Sequence, residues 1–208
     1  MNQASASFRA EGHIYELNGR VVPSVTQTLT LAGLDDVSRI PARNLARAAA
    51  IGTAVHQACE FLDQDDLDLD SLDPLTVGYV LGYQRFKQET GFSPVTIERR
   101  GVAVDPEASG LAYGFCFDRI GILQDGQDQG REVLIDIKTA SRKSASWAIQ
   151  TAAYAEAVEF EGERYAVHVA KDGSYKLIPH QDAADFDTWH AALHLAHWKL
   201  AHGAKLPK

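Results

Sequence analysis

The sequence predicts one α+β domain, and three observations carry that prediction. After a short hairpin, helical segments dominate residues 24–90, extended β-rich segments dominate residues 95–137, and a helix, two short strands and a last helix follow. The chain has 208 residues, a length that suits one core rather than several. Finally, no internal repeat and no low-complexity linker divides it.

Taken in order, residues 13–22 flank Asn18-Gly19 with apolar side chains, the strongest short signal for a hairpin. Pro23-Ser24-Val25-Thr26-Gln27 then opens a helix, with Ser24 as cap and Gln27 at the capping-box position. A second helix is expected from Pro41 to Leu62, favoured by seven alanines between Ala42 and Ala58 and interrupted by Gly52. Asp63 to Asp73 alternates acids with leucines. It lacks the turn glycine and terminal glutamate of a calcium loop and reads as a solvated connection. Asp73-Pro74 opens a third helix that ends at Gly91. Strands follow at 95–104, 111–123 and 132–137, the last two joined through Asp125-Gly126. A helix is expected over 146–160, strands at 165–170 and 175–178 joined through Asp172-Gly173, and a last helix over 182–201.

Composition narrows the function. With 20 Lys+Arg against 28 Asp+Glu the formal charge is −8, so the chain is not expected to coat nucleic acid nonspecifically. Basic residues gathered on one face, or metal ions on its own carboxylates, would still allow such a ligand. No run of about 20 apolar residues suits a membrane span, and Met1–Ser5 does not begin a secretory signal. Two cysteines, Cys59 and Cys116, exclude a disulfide scaffold and a four-thiolate cluster, and both read as apolar core residues of a protein from a reducing cytoplasm.

The most chemical segment is Val133-Leu134-Ile135-Asp136-Ile137-Lys138-Thr139. Its apolar run drives a strand into the core, and period-2 geometry sets Asp136 and Lys138 on one face. An acid and an amine taken out of water need each other, a metal, or a wet cleft, unless both sit at a strand end open to solvent. Asp118, on the neighbouring strand, converges on Asp136 at one end of a meander. Two close carboxylates invite a hard cation such as Mg²⁺ or Mn²⁺, the alternative being an ion pair of Asp118 with Arg119 or Arg131. His56 and Glu60 are four apart on one helical face, as metal ligands or as a surface pair. Gln150 and Tyr154 are also four apart, with Tyr154 either a half-buried core residue or part of a site. Glu98, on the strand before Asp118, is the weakest member of the set.

Basic residues near these positions are Arg39, Arg43 and Arg47, one every four residues, with Arg99 and Arg100, then Arg142 and Lys143. Each group reads either as phosphate contacts or as a solvated face. His190, His194 and His197 on the last helix have zinc-like spacing but no adjoining acid or cysteine, and amphipathic packing of Trp189, Leu193, Leu195, Trp198 and Leu200 suffices to explain that helix. No phosphate-cradling glycine loop with its lysine and no Gly-x-Ser-x-Gly elbow is present.

Together, Gly52…His56…Glu60, then Glu98, Asp118, Asp136-Ile137-Lys138 and Gln150-x-x-x-Tyr154 resemble the RecB-like branch of the PD-(D/E)XK nuclease superfamily, phage recombination exonucleases among them. The opening Val22-Pro23-Ser24-Val25-Thr26 is similar to phage-encoded members, and the resemblance spans residues 12–180. Where the family has glycine three residues before the first acid, this chain has Phe115, with Gly114 one place earlier.

The resemblance implies a restriction-endonuclease-like core, a central mixed β-sheet flanked by helices, within one nuclease domain over 1–208. Its parts would be a hairpin and helices over 1–92, the catalytic sheet and helix over 93–180, and a C-terminal helix over 181–208. It implies Mg²⁺ or Mn²⁺ held by Asp118, Asp136 and the Ile137 carbonyl, with His56 and Glu60 completing that site or a second one. Lys138 would orient the attacking water, and Gln150 and Tyr154 would steady the site against DNA. It implies a DNA exonuclease of phage recombination or DNA processing, with a ring-shaped homo-oligomer and a single-strand annealing or recombination protein as partners and no membrane. A DNA-binding scaffold without turnover, an endonuclease and an RNA nuclease are the competing functions.

Overall fold

Arg131–Lys138 (β6) is the middle strand of a five-stranded sheet, and its sequence explains why. Val133, Leu134, Ile135 and Ile137 are all buried, so both faces of the strand are covered, as an uninterrupted apolar run requires. The computed structural model describes residues 5–35, 40–124, 126 and 130–207. The sheet also contains Ser93–Asp105 (β4), Leu111–Leu123 (β5), Glu163–Val169 (β7) and Tyr175–His180 (β8), in the order β4-β5-β6-β7-β8. Only β6 and β7 pair in parallel, joined by the helix Ser146–Ala157 (α4), so the sheet is mixed.

A second, three-stranded sheet holds Ala6–Arg9 (β1), Ile14–Leu17 (β2) and Arg20–Val22 (β3), all antiparallel. Asn18 and Gly19 form the β2–β3 turn with φ of 51° and 75°, the left-handed pair that a tight hairpin needs. This sheet docks on β5 through Gly114, whose N–H donates to the Pro23 carbonyl at 2.9 Å. A Cβ at residue 114 would stand 2.1 Å from the Tyr15 ring, so glycine is required there for close packing.

Ser24 caps the helix Val25–Ala32 (α1) as its sequence predicts. Its hydroxyl accepts from the Gln27 N–H, and the Gln27 side chain accepts from the Ser24 N–H. Three further helices are Ala42–Asp63 (α2), Val77–Thr90 (α3) and Ala184–Ala201 (α5). One face of the large sheet packs against α1, α4 and α5 through Leu29, Phe117, Leu134, Ala153, Trp189 and Leu193. The other packs against α2 and α3 through Val55, Cys59, Phe86, Ile135, Ile137 and Val167. Residues 42–50 of α2 are exposed along their whole length, so that end of the helix stands free of the body.

Several boundaries depart from the sequence reading. Strand β1 is unforeseen; its only large apolar side chain is Phe8, and it exists by pairing with β2. Helix α3 begins after Thr76 rather than at Pro74, because Asp73 first closes a separate turn by accepting the Leu75 N–H. The expected solvated run 63–73 instead starts with a residue whose side chain is fully covered. Asp63 ends α2 with its carboxylate on Arg119 Nε (2.6 Å), Lys87 Nζ (2.6 Å) and the Tyr83 hydroxyl (2.9 Å). Helix α4 stops at Ala157, ahead of Glu159 at φ 53°. Asp125 and Arg39 lie outside the described residues.

Candidate active site

The site forms where β5 and β6 part. Their ladder ends at Arg119 opposite Ile135, so one step further the register sets Asp118 against Asp136. Both side chains are buried. Asp118 Oδ2 accepts the Ile137 backbone N–H at 2.6 Å, and its Oδ1 lies 3.1 Å from His56 Nδ1, which α2 lowers onto the strand end. Asp118 is therefore not the partner of Arg119 or Arg131; Arg119 reaches only its carbonyl oxygen, at 2.7 Å.

Glu98 joins this group. Its backbone adopts φ 49° within β4, a left-handed conformation that a glutamate rarely holds in a strand. Its carboxylate takes a 3.2 Å bond from Arg119 Nη1 and meets Cys116 Sγ at 3.5 Å. Among the described residues, donor atoms of His56, Glu98 and Asp118 all lie within 4.8 Å of one another. Glu60 does not belong to that cluster. Four residues on along α2 it sits a full turn away, off the sheet-facing stripe of Val55, Cys59 and Asp63, and its Oε1 takes a bond from Gln64. The weakest member of the sequence-derived set is thus inside, and one of its helical pair is outside.

Asp136 and Lys138 share the face of β6 turned toward α4, as period-2 geometry predicts. Lys138 Nζ stands 2.5 Å from Asp136 Oδ2 and donates to Gln150 Oε1 at 2.7 Å, while Gln150 Nε2 donates to the Tyr154 hydroxyl at 2.8 Å. A chain of polar contacts thus runs from strand to helix over residues the sequence had grouped only by spacing. Gln150 and Tyr154 are buried, and Lys138 also lies 5.9 Å above the Trp147 ring. The Asp136 Oδ2 atom takes no hydrogen bond of regular geometry, so the ammonium is its only close counter-charge among the described residues. Of Ile137, the structure engages the N–H rather than the carbonyl in this cluster.

The electrostatics follow from burial and spacing. Burial pushes the Asp136 carboxyl up to about 6, with Asp118 adding repulsion and Lys138 opposing both. Burial favours neutral His56, yet the charge and hydrogen bond of Asp118, with Asp136 and Glu98 behind them, carry the ring up to about 9. Asp118 goes the other way: burial resists its charge, but His56, the Ile137 N–H and Arg119 hold it below the usual carboxylate range. Burial and Asp118 together raise Glu98. Burial and Glu98 push the Cys116 thiol up to about 12, so it stays protonated at neutral pH.

Sequence reasoning missed Arg119 and Asp63. Arg119 is wholly buried, bridging Asp63 at 2.6 Å and Glu98 at 3.2 Å beneath the cluster. The only signal was a charged residue within an apolar strand. The basic residues read as phosphate contacts are exposed: Arg43 and Arg47 on the free end of α2, Arg99 and Arg100 on β4, Arg142 and Lys143 in the loop between β6 and α4. Arg100 lies 5.0 Å above the Phe8 ring.

Fold and site define an α+β protein with a five-stranded mixed sheet flanked by helices and a partly buried His/Glu/Asp donor group beside an Asp–Lys pair. The donor chemistry, carboxylate oxygens with one imidazole, fits a divalent cation; Asp136 lies outside that triplet, its carboxylate on Lys138 and in electrostatic reach of Asp118 and His56. Searches with the chain find no matching family model and no matching curated protein. Among the described residues, no helix is long and apolar enough to cross a membrane.

Proposed function

We propose that this chain is a divalent-metal-dependent deoxyribonuclease of the PD-(D/E)XK type, acting as an exonuclease. The observation that supports this reading best is the convergence of Asp118, Asp136, Lys138 and His56 where β5 and β6 separate. Asp118, His56 and Glu98, with Asp136 adjoining, are the residues that would hold Mg²⁺ or Mn²⁺. Such an ion supplies Lewis acidity and counter-charge at a phosphodiester.

The chain's own residues do the rest. Lys138, fixed between Asp136 and Gln150, presents a positive donor beside the carboxylates and so orients water and balances charge on phosphate oxygens. Gln150 and Tyr154 hold that amine in place from α4. Exposed Arg43 and Arg47 on α2, and Arg142 and Lys143 four and five residues after Lys138, are suited to phosphate contacts outside the donor cluster.

The deciding assay incubates the protein with labelled linear DNA, circular DNA and RNA, each with Mg²⁺, Mn²⁺ or EDTA. Metal-dependent loss of linear DNA alone is the expected result. Cutting of circles makes it an endonuclease, loss of RNA changes the substrate, and no cleavage in any lane overturns the enzymatic reading.

A further inference from the structure

Near the far end of β4, away from the site above, three side chains from three elements meet. Asp105 ends β4, Glu156 lies in the last turn of α4, and His190 sits in the second turn of α5. His190 Nε2 is 2.8 and 2.9 Å from the two oxygens of Glu156 and 3.6 Å from Asp105 Oδ2. Donor atoms of the three residues all fall within 4.8 Å of one another. The histidine triplet of the sequence therefore divides. His197 bonds the Ala112 carbonyl, His194 is exposed, and His190 finds its acids 34 and 85 residues away along the chain.

A protein-only account of this cluster is incomplete. Asp105 has a fully buried side chain; its Oδ1 is fixed by the Ala108 N–H at 2.8 Å, which aims Oδ2 at His190. That Oδ2 atom is buried and takes no hydrogen bond. Nε2 of an imidazole carries at most one hydrogen, and Glu156 occupies it. One ring cannot serve both acids, and a buried carboxylate oxygen left without a donor is strongly unfavourable. A divalent ion can bond all three at once.

We propose that Asp105, Glu156 and His190 form a second metal site, for a transition cation of the Zn²⁺ class, that ties β4, α4 and α5 together. One imidazole with two carboxylates is a donor set that zinc accepts, with a fourth position left to water. Donors held 2.0–2.1 Å from a tetrahedral ion stand about 3.3 Å apart, and the observed 2.8–3.6 Å contacts to His190 bracket that spacing. Binding replaces any hydrogen on His190 Nε2, which leaves as a proton, while Nδ1 keeps its own. A pocket bordered by Pro106, Glu156, Glu159 and Glu161 opens beside the cluster and gives a cation an acidic approach. This inference does not depend on the nuclease reading.

The test uses the full chain carrying Asp118→Asn and Asp136→Asn, which disables the first site, stripped with EDTA and titrated with Zn²⁺ alone by calorimetry. One Zn²⁺ per chain is expected, and adding His190→Ala weakens it at least about tenfold. Co²⁺ in place of Zn²⁺ gives the visible absorption of a tetrahedral site, which His190→Ala abolishes. Should His190→Ala fail to fold, judged by circular dichroism, Glu156→Gln takes its place, since it keeps the shape and removes the charge. No Zn²⁺ uptake by the starting variant, or equal uptake after either substitution, overturns the proposal.

Discussion

Ile137 donates its backbone N–H to Asp118 Oδ2 across 2.6 Å, so the first acid of the site is clamped by the residue that follows the second. The same carboxylate holds His56 through Oδ1. In metal-free protein the His56 ring therefore titrates near 9, and Asp118→Asn lowers that by at least about one unit. Because the folded value is raised, the interaction stabilises fully below about pH 6.5 and is lost as pH climbs through about 9. NMR titration of the imidazole checks both statements; a ring titrating near 6.5 in the wild type contradicts them.

Lys138→Ala removes cleavage by at least about a hundredfold while leaving Mn²⁺ binding in place. Without the ammonium, buried Asp136 loses its close counter-charge, and stability falls by about 2 kcal/mol at pH 7. Single-turnover cleavage, metal titration and urea unfolding separate the two effects. Full activity in the variant refutes the role given to this lysine.

Arg119→Met leaves Asp63 and Glu98 without their shared cation in the core, and costs about 3–5 kcal/mol. Lys87→Met also removes a cation from Asp63, but its amine is partly in water, so the loss is about 1 kcal/mol. Chemical denaturation of the two variants side by side gives the comparison. Equal losses would mean that Arg119 carries no special burden.

His180 is buried at the end of β8 with Nδ1 against Thr151 Oγ1 at 2.9 Å. Burial, then Arg164, Lys143 and Lys138, push its pKa down to about 4. The unfolded chain takes up this proton below about pH 6.5 and the folded chain does not, so stability falls between about pH 6.5 and 4. The loss is about 3 kcal/mol, and His180→Gln flattens it. Thermal unfolding across that range, wild type against variant, reads it directly.

How much of this was legible in the sequence depended on how local each signal was. The Ser24–Gln27 capping box and the Asn18-Gly19 turn were readable because each involves neighbours only. Strands β5 and β6 were readable from their apolar runs, and the pairing of Asp136 with Lys138 from strand periodicity alone. The parallel partnership of β6 with β7 was not, because it joins segments about thirty residues apart through a helix. Glu98 and Glu60 exchanged places for the same reason: helical spacing describes one face of α2, whereas the cluster is set by the register between β4 and β5. Asp63 hid inside an acidic run, and the packing expected of Leu195 and Trp198 is absent, since both are exposed on α5. Which acids His190 would meet depended on contacts far apart in the chain.

Helices α1 and α5 lie side by side, with Lys199 Nζ on the Leu31 carbonyl at 2.6 Å and 168 residues between them in sequence. A ribosome must therefore finish nearly all of the described chain before α1 can find its neighbour, and closing so long a loop is entropically slow. Until then the apolar side of α1, with Val25 and Leu29, lacks its α5 cover and is open to wrong contacts.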